Sequence, residues 1–129
     1  MFKYQKLANI LKQVVEQGKQ LKSVLYNSRE LKQNEVGASY SLLSLLLNNY
    51  GQFWESHERI ADRSKVEVGN PYLLMVMLAE YINTGRIIGG GKLKRAITQN
   101  MDCLPQVDTA SKINKRVVQV RLRRNHPQF

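Results

Sequence analysis

Cysteine, proline and glycine are all scarce in this chain of 129 residues. The single cysteine, Cys103, excludes an intramolecular disulfide, so we expect a reducing, intracellular compartment. Three prolines and eight glycines leave few residues for the tight turns of a sandwich or barrel, which favours helices. The longest apolar run, Tyr72 to Ala79, is far shorter than the ~20 residues that cross a bilayer. The N-terminus shows no signal-peptide pattern, and we expect no membrane partner.

The chain also has few residues of the types that carry catalysis. Its two histidines and one cysteine show no metal-ligand spacing. His57 lies between polar residues, which predicts a solvated helix position rather than a catalytic base. Cys103 has no histidine near it in sequence to activate it, which predicts a buried or inert thiol. We therefore expect a protein that is not an enzyme and holds no metal or cofactor.

Basic residues are abundant, and they are unevenly placed. Lysine and arginine number 20 against 10 acidic residues, a net charge of +10. Residues 1–84 contain ten basic and eight acidic residues, whereas residues 85–129 contain ten basic residues and only Asp102 and Asp108 as acids. A field of one sign attracts polyanions, so this asymmetry predicts a nucleic acid partner, with an anionic membrane surface as a weaker alternative.

Apolar residues at helical spacing predict an all-α bundle over residues 1–104. The first helix stops at Gly18, and a second, short helix follows. The third begins near Val36 and ends at Gly51, and the fourth occupies residues 53–66. The inward residues of the fourth helix are predicted to be Phe53, Trp54, Ile60 and Ala61.

The central helix is predicted from a start signal and an unbroken apolar run. Asn70 caps free backbone donors, and Pro71 loses no hydrogen bond at the first helical position. The helix ends by Gly85, and a last short helix covers residues 92–101. Five tyrosines beside leucine and valine are predicted to pack in the core, with base stacking as the alternative: Tyr26, Tyr40, Tyr50, Tyr72 and Tyr81.

Residues 105–129 differ from the bundle and are predicted to form a basic, extended tail. Val118, Val120 and Leu122 alternate with polar residues, which is typical of a strand. A lone strand has no partner in a helical bundle, so it would pair with a domain absent from this chain, pair with another molecule or stay extended.

Basic side chains are the candidate RNA-binding residues, because lysine and arginine contact backbone phosphates. They are Arg86, Lys92, Lys94, Arg95, Lys112, Lys115, Arg116, Arg121, Arg123 and Arg124. Gly89-Gly90-Gly91-Lys92 lacks the spacing of a nucleotide-binding P-loop. A flexible hinge, or a helix N-terminus that grips an RNA phosphate, fits these glycines better.

Three segments resemble one family. Residues 22–28, Lys-Ser-Val-Leu-Tyr-Asn-Ser, resemble a K-x-L-V-Y-S-S segment of Sun-type RNA cytosine-C5 methyltransferases, in the subgroup that modifies large-subunit ribosomal RNA. Pro71, Leu73, Val76 and Glu80, followed by three glycines from Gly89, are similar to that subgroup's helix and glycine cluster. Residues 115–121 are similar to its P-R-F-V-R-V-N-T strand, with arginine in place of the asparagine.

The resemblance implies a NusB-like helical bundle that binds ribosomal RNA. It covers only the family's N-terminal region, so the S-adenosylmethionine loop and the catalytic cysteines have no counterpart here. Two hypotheses follow. In the first, the chain is a non-catalytic, ribosome- or pre-ribosome-associated protein of the cytoplasm, nucleus or nucleolus. In the second, it is a protein-interaction subunit that docks on a separate methyltransferase or assembly partner through its C-terminal strand.

Overall fold

The computed structural model describes residues 2–29, 31–65, 69–89 and 91–107. Within these ranges the chain forms six α-helices and one short 3₁₀ helix, with no strand, which confirms the predicted all-α bundle. The helices are α1 (Phe2–Gln17), α2 (Leu21–Asn27), α3 (Gln33–Asn48), α4 (Tyr50–Ser64), α5 (Pro71–Thr84) and α6 (Gly91–Gln99), and the 3₁₀ helix is Met101–Cys103.

Helix α5 lies at the centre of the bundle, as its apolar sequence predicts. Every residue from Tyr72 to Ala79 is buried, and the helix contacts α1, α3, α4 and α6. The side chain of Asn70 accepts a hydrogen bond of 3.0 Å from the backbone N–H of Tyr72, with Pro71 at the first helical position. Gly85, at φ 77°, closes the other end. Both predicted boundary signals are therefore confirmed.

Helices α1 and α2 also follow the sequence pattern. Gly18 takes the left-handed backbone conformation, at φ 67°, directly after α1. Helix α2 packs on α1 and α3 through the buried side chains of Val24 and Leu25. Tyr26 is 75% exposed, so its predicted core packing is wrong. It lies about 100° around the helix from Leu25, which turns its ring away from the bundle.

The junction of α3 and α4 differs from the predicted one. We expected the third helix to include Tyr50 and end at Gly51, but both residues belong to the first turn of α4. The side-chain amide of Asn49 donates a hydrogen bond of 3.0 Å to the backbone carbonyl of Leu45. This bond satisfies a carbonyl near the end of α3, so asparagine marks the break and glycine does not.

Two predictions on α4 are wrong for the same geometric reason. His57 is only 8% exposed, and its ring N–H at Nδ1 donates to the carbonyl of Trp54 over 2.7 Å. It lies four residues after Phe53 and three before Ile60, both fully buried, so it shares their inward face. Trp54, predicted to point inward, is rotated by about 100° from Phe53 and is 37% exposed.

Contacts at both ends hold α6 in place. Before the helix, Ile87 is buried in the core, and the backbone N–H of Ile88 donates to the hydroxyl of Tyr4 over 2.9 Å. After the helix, Asp102 in the 3₁₀ helix forms an ion pair with Arg63 of α4. Segments far apart in sequence therefore position α6 on the bundle.

Candidate nucleic-acid interface

Helix α6 is a short amphipathic helix whose inner face is fixed by the core. Ala96 and Ile97 are buried, Leu93 packs partly against the core, and the helix contacts α4 and α5. These anchors leave Lys92, Lys94 and Arg95 exposed on the remaining surface. The three cations lie within about 5 Å along the helix axis, because each residue adds about 1.5 Å.

Arg86, in the loop before α6, is exposed as well, so four of the predicted site residues are exposed on α6 and its preceding loop. We refer to Arg86, Lys92, Lys94 and Arg95 as the α6 cations. The other six, Lys112, Lys115, Arg116, Arg121, Arg123 and Arg124, lie outside the described residues, as does the predicted strand.

No carboxylate of the described residues forms an ion pair with any of the α6 cations. Asp102 is the acidic residue of the described part of 85–107, and its carboxylate accepts a hydrogen bond from Arg63. This bond lowers the pKa of Asp102, and the carboxylate raises the pKa of Arg63 in return. Among the described residues of this segment, the one carboxylate is thus paired with Arg63 of α4 and not with the α6 cations.

The position of two of these cations opposes helix stability. Lys92 and Lys94 lie in the first turn of α6, which contains no acidic residue. The helix dipole places partial positive charge at this end, where an anion is favoured and a cation is not. Gly91, at φ 49°, starts the helix, and Gly89 before it is also left-handed, at φ 71°. A phosphate beside this turn would meet lysine charges and free backbone donors together.

One further feature, a cleft between α1 and α2, is absent from the sequence-based predictions. It has a volume of about 820 Å³. Side-chain amides of Asn9, Gln13, Gln20 and Asn27 are prominent among the residues that line it. A signal was present, since Asn9 and Gln13 lie four residues apart on α1 and therefore share a face. Charged and aromatic residues are the usual sequence signs of an RNA site, and neither sign detects a face of amides.

The described residues were also compared with the expectations for the thiol, for a metal site and for a membrane-spanning helix. Cys103 is buried, as predicted. No three histidine, cysteine, aspartate or glutamate side chains of the described residues lie close enough to hold a metal ion. None of the described helices combines the length and the apolar character needed to cross a membrane.

Comparisons of the chain with protein-family models, with curated proteins and with solved structures found no match. The likeness to Sun-type methyltransferases thus stays a hypothesis based on the quoted residues.

Proposed function

We propose that this chain is a non-catalytic RNA-binding module that associates with ribosomal RNA of the large subunit, in a ribosome or pre-ribosome of the cytoplasm or nucleolus. The observation that carries the proposal is the set of α6 cations. Four exposed basic side chains lie on one short helix and its preceding loop, with no carboxylate of the described residues paired to them. Lysine and arginine in this arrangement suit the phosphates of a nucleic acid backbone.

The dipole of α6 supports a binding role for Lys92 and Lys94. A lysine in the first turn of a helix loses about 0.3–1 kcal/mol relative to a favourable anion, so two such lysines weaken α6. Stabilising changes often reduce function where they alter a site, so residues that weaken a helix are candidates for a binding role. A bound phosphate would reverse the sign of this interaction, since the dipole and the lysines would both attract it.

The choice of ribosomal RNA depends on the resemblance to the methyltransferase subgroup that modifies large-subunit ribosomal RNA. The absence of a recognisable catalytic motif in the sequence supports a binding role over an enzymatic one. The competing hypothesis, a protein-interaction subunit, depends on the predicted strand at 115–122. That strand lies outside the described residues, whereas the α6 cations lie within them, so RNA binding is the proposal that described residues support.

Charge reversal of the α6 cations tests the assignment of the site. Replacing Arg86, Lys92, Lys94 and Arg95 with glutamate lowers the net charge from +10 to +2. We expect RNA affinity in a filter-binding assay to fall at least about 100-fold while circular dichroism shows unchanged helicity.

The matched control reverses four exposed lysines elsewhere: Lys12, Lys22, Lys32 and Lys65. It causes the same change in net charge, so it separates a local site from a general charge effect. We expect the control to bind RNA clearly more tightly than the α6 variant. Equal loss in the two variants, or no loss in the α6 variant, would contradict the proposed site.

Native purification tests the identity of the RNA. The protein is isolated from its own cells with and without RNase, and the accompanying molecules are identified. We expect large-subunit ribosomal RNA, released by RNase and retained at moderate salt. A protein companion that survives RNase, with no RNA present, would favour the interaction-subunit hypothesis instead.

A further inference from the structure

The cleft between α1 and α2 has the chemistry of a nucleobase site. Two of its lining residues, Ile10 and Val24, are apolar and belong to the core of the bundle. Around them lie polar side chains from both helices and from the loop that joins them. A nucleobase matches this polar lining through its edge of hydrogen-bond donors and acceptors.

Amide side chains are enriched in this lining. Four of its ten described residues are asparagine or glutamine, whereas these two types make up 20 of the 129 residues of the chain. Each amide offers a carbonyl acceptor beside an NH₂ donor, the pair that matches a base edge. The enrichment therefore favours a ligand with paired donors and acceptors over a purely anionic one.

The hydrogen-bonding capacity of these amides is largely unused within the protein. The side chains of Asn9 and Gln20 make no hydrogen bond to any described residue. Gln13 accepts one long contact of 3.4 Å from Lys19, and Asn27 donates one of 3.5 Å to Ser23. Bonds of this length are weak, so a ligand would displace water rather than break strong internal contacts.

Charge at the cleft also fits a nucleotide. Lys19 and Arg29 are both exposed and line it, and none of the described lining residues is acidic. The two cations suit the phosphates on either side of a bound base. Tyr26, 75% exposed on the same short helix, adds a ring on which a neighbouring base can stack.

We infer that the α1–α2 cleft binds an unpaired base of single-stranded RNA through the amides of Asn9, Gln13, Gln20 and Asn27. This inference rests on the proposed RNA-binding function and adds a division of roles. The α6 cations hold phosphates without regard to sequence, and the cleft distinguishes one base from another. The bound RNA therefore includes a loop, bulge or end with unpaired bases, since paired bases do not expose these edges.

The test uses the full chain and a variant with Asn9, Gln13 and Asn27 all changed to alanine. The probes are oligoribonucleotides of about ten units, of A, C or U alone, and an abasic strand of equal length. We expect the wild type to bind its preferred base-bearing strand about tenfold more tightly than the abasic strand. The variant should lose that difference while keeping its affinity for the abasic strand and its salt dependence, because it keeps every charge.

A control variant removes three exposed amides outside the cleft, Gln33, Asn34 and Gln52. It should keep the preference of the wild type. Alanine has a high helix propensity, so these changes should not unfold the helices. Circular dichroism checks the fold of both variants. In the wild type, side-chain amide NMR signals of Asn9 and Asn27 should shift when the preferred strand is added.

The outcomes separate this inference from the proposed function. Equal binding of abasic and base-bearing strands by the wild type, or an unchanged preference in the cleft variant, overturns the inference and leaves the α6 cations as an RNA site. No RNA binding by the wild type overturns both. Loss of base preference in the cleft variant, together with full affinity in the α6 charge-reversal variant, supports the cleft and contradicts the α6 site.

Discussion

Helices α5 and α6 are neighbours in sequence and in space, yet they have opposite roles. In α5 every residue from Tyr72 to Ala79 is buried, and no basic residue occurs in the helix. In α6 only Ala96 and Ile97 are fully buried, and three of nine residues are exposed cations. The contrast indicates that α5 supplies stability to the bundle, whereas α6 uses a small anchor to present charge.

This division predicts that stability and RNA binding can be changed separately. Changes in α5 should alter the free energy of unfolding and leave the affinity of the folded protein for RNA unchanged. Changes to the cations on the outer face of α6 should weaken RNA binding without lowering the free energy of unfolding. Adjacent helices with separable effects would be difficult to explain if the α6 cations served only solubility.

The largest expected effect on stability comes from the centre of α5. Leu74 is fully buried, so Leu74→Ala leaves a cavity and should lower the free energy of unfolding by about 2–5 kcal/mol. Chemical denaturation measures the loss. RNA affinity, corrected for the folded fraction, should stay within about twofold of the wild type. A parallel loss of affinity at full folding would show that the two helices are not separable.

A smaller loss of stability is expected from a change at the contact between α5 and α1. The hydroxyl of Tyr72 donates a hydrogen bond of 2.7 Å to Glu16. Tyr72→Phe removes it without a large change in volume and should cost about 0.5–1.5 kcal/mol in urea unfolding. Tyr26→Phe is the matched control, because its ring is exposed, and it should have almost no effect on stability.

Tyr50 and Tyr72 should make the free energy of unfolding sensitive to alkaline pH. Burial raises the pKa of Tyr50 from 10.0 to about 12, and burial also raises the pKa of Tyr72. Between pH 10 and 12 the unfolded chain loses the Tyr50 proton while the folded chain keeps it, so the free energy of unfolding should fall as the pH rises. Below pH 10 this contribution is constant.

Denaturation curves at a series of pH values test this dependence on pH. Tyr50→Phe should make the fall in the free energy of unfolding between pH 10 and 12 shallower. An identical decline in Tyr50→Phe would assign the pH dependence to other groups, such as the lysines.

The smallest stability effect has the opposite sign and lies in α6. Lys92→Glu and Lys94→Glu replace cations by anions in the first helical turn, so each should stabilise α6 by about 0.3–1 kcal/mol. Thermal unfolding should show an equal or higher Tm for the double variant, together with weaker RNA binding. A lower Tm would mean that these lysines have structural contacts rather than a binding role.

Much of the fold follows from local sequence signals. The caps of α5 at Asn70 and Gly85, and the stop at Gly18, are set by backbone chemistry that a few residues determine. Burial on α4 was harder to predict, because the polar neighbours of His57 conceal its position on the face shared by Phe53 and Ile60. The burial of a residue on α4 is therefore decided by its position around the helix and not by the polarity of its neighbours.

The candidate site was predictable only in part. The α6 cations are visible in the sequence as a cluster without acids, whereas the pairing of Asp102 with Arg63, 39 residues earlier, depends on how α4 packs. The α1–α2 cleft depends on the angle at which two helices meet, and periodicity does not determine that angle. The six basic residues from Lys112 to Arg124 remain predictions.

The dependence of RNA affinity on salt concentration tests the central claim most directly. For the wild type and the α6 charge-reversal variant, log K is measured against log salt with the same RNA. Each phosphate contact contributes about 0.7–0.9 to the slope, so loss of the four α6 cations should reduce its magnitude by about 3. Equal slopes in the two proteins would show that the α6 cations do not contact RNA phosphates, and would contradict the proposed function of this helix.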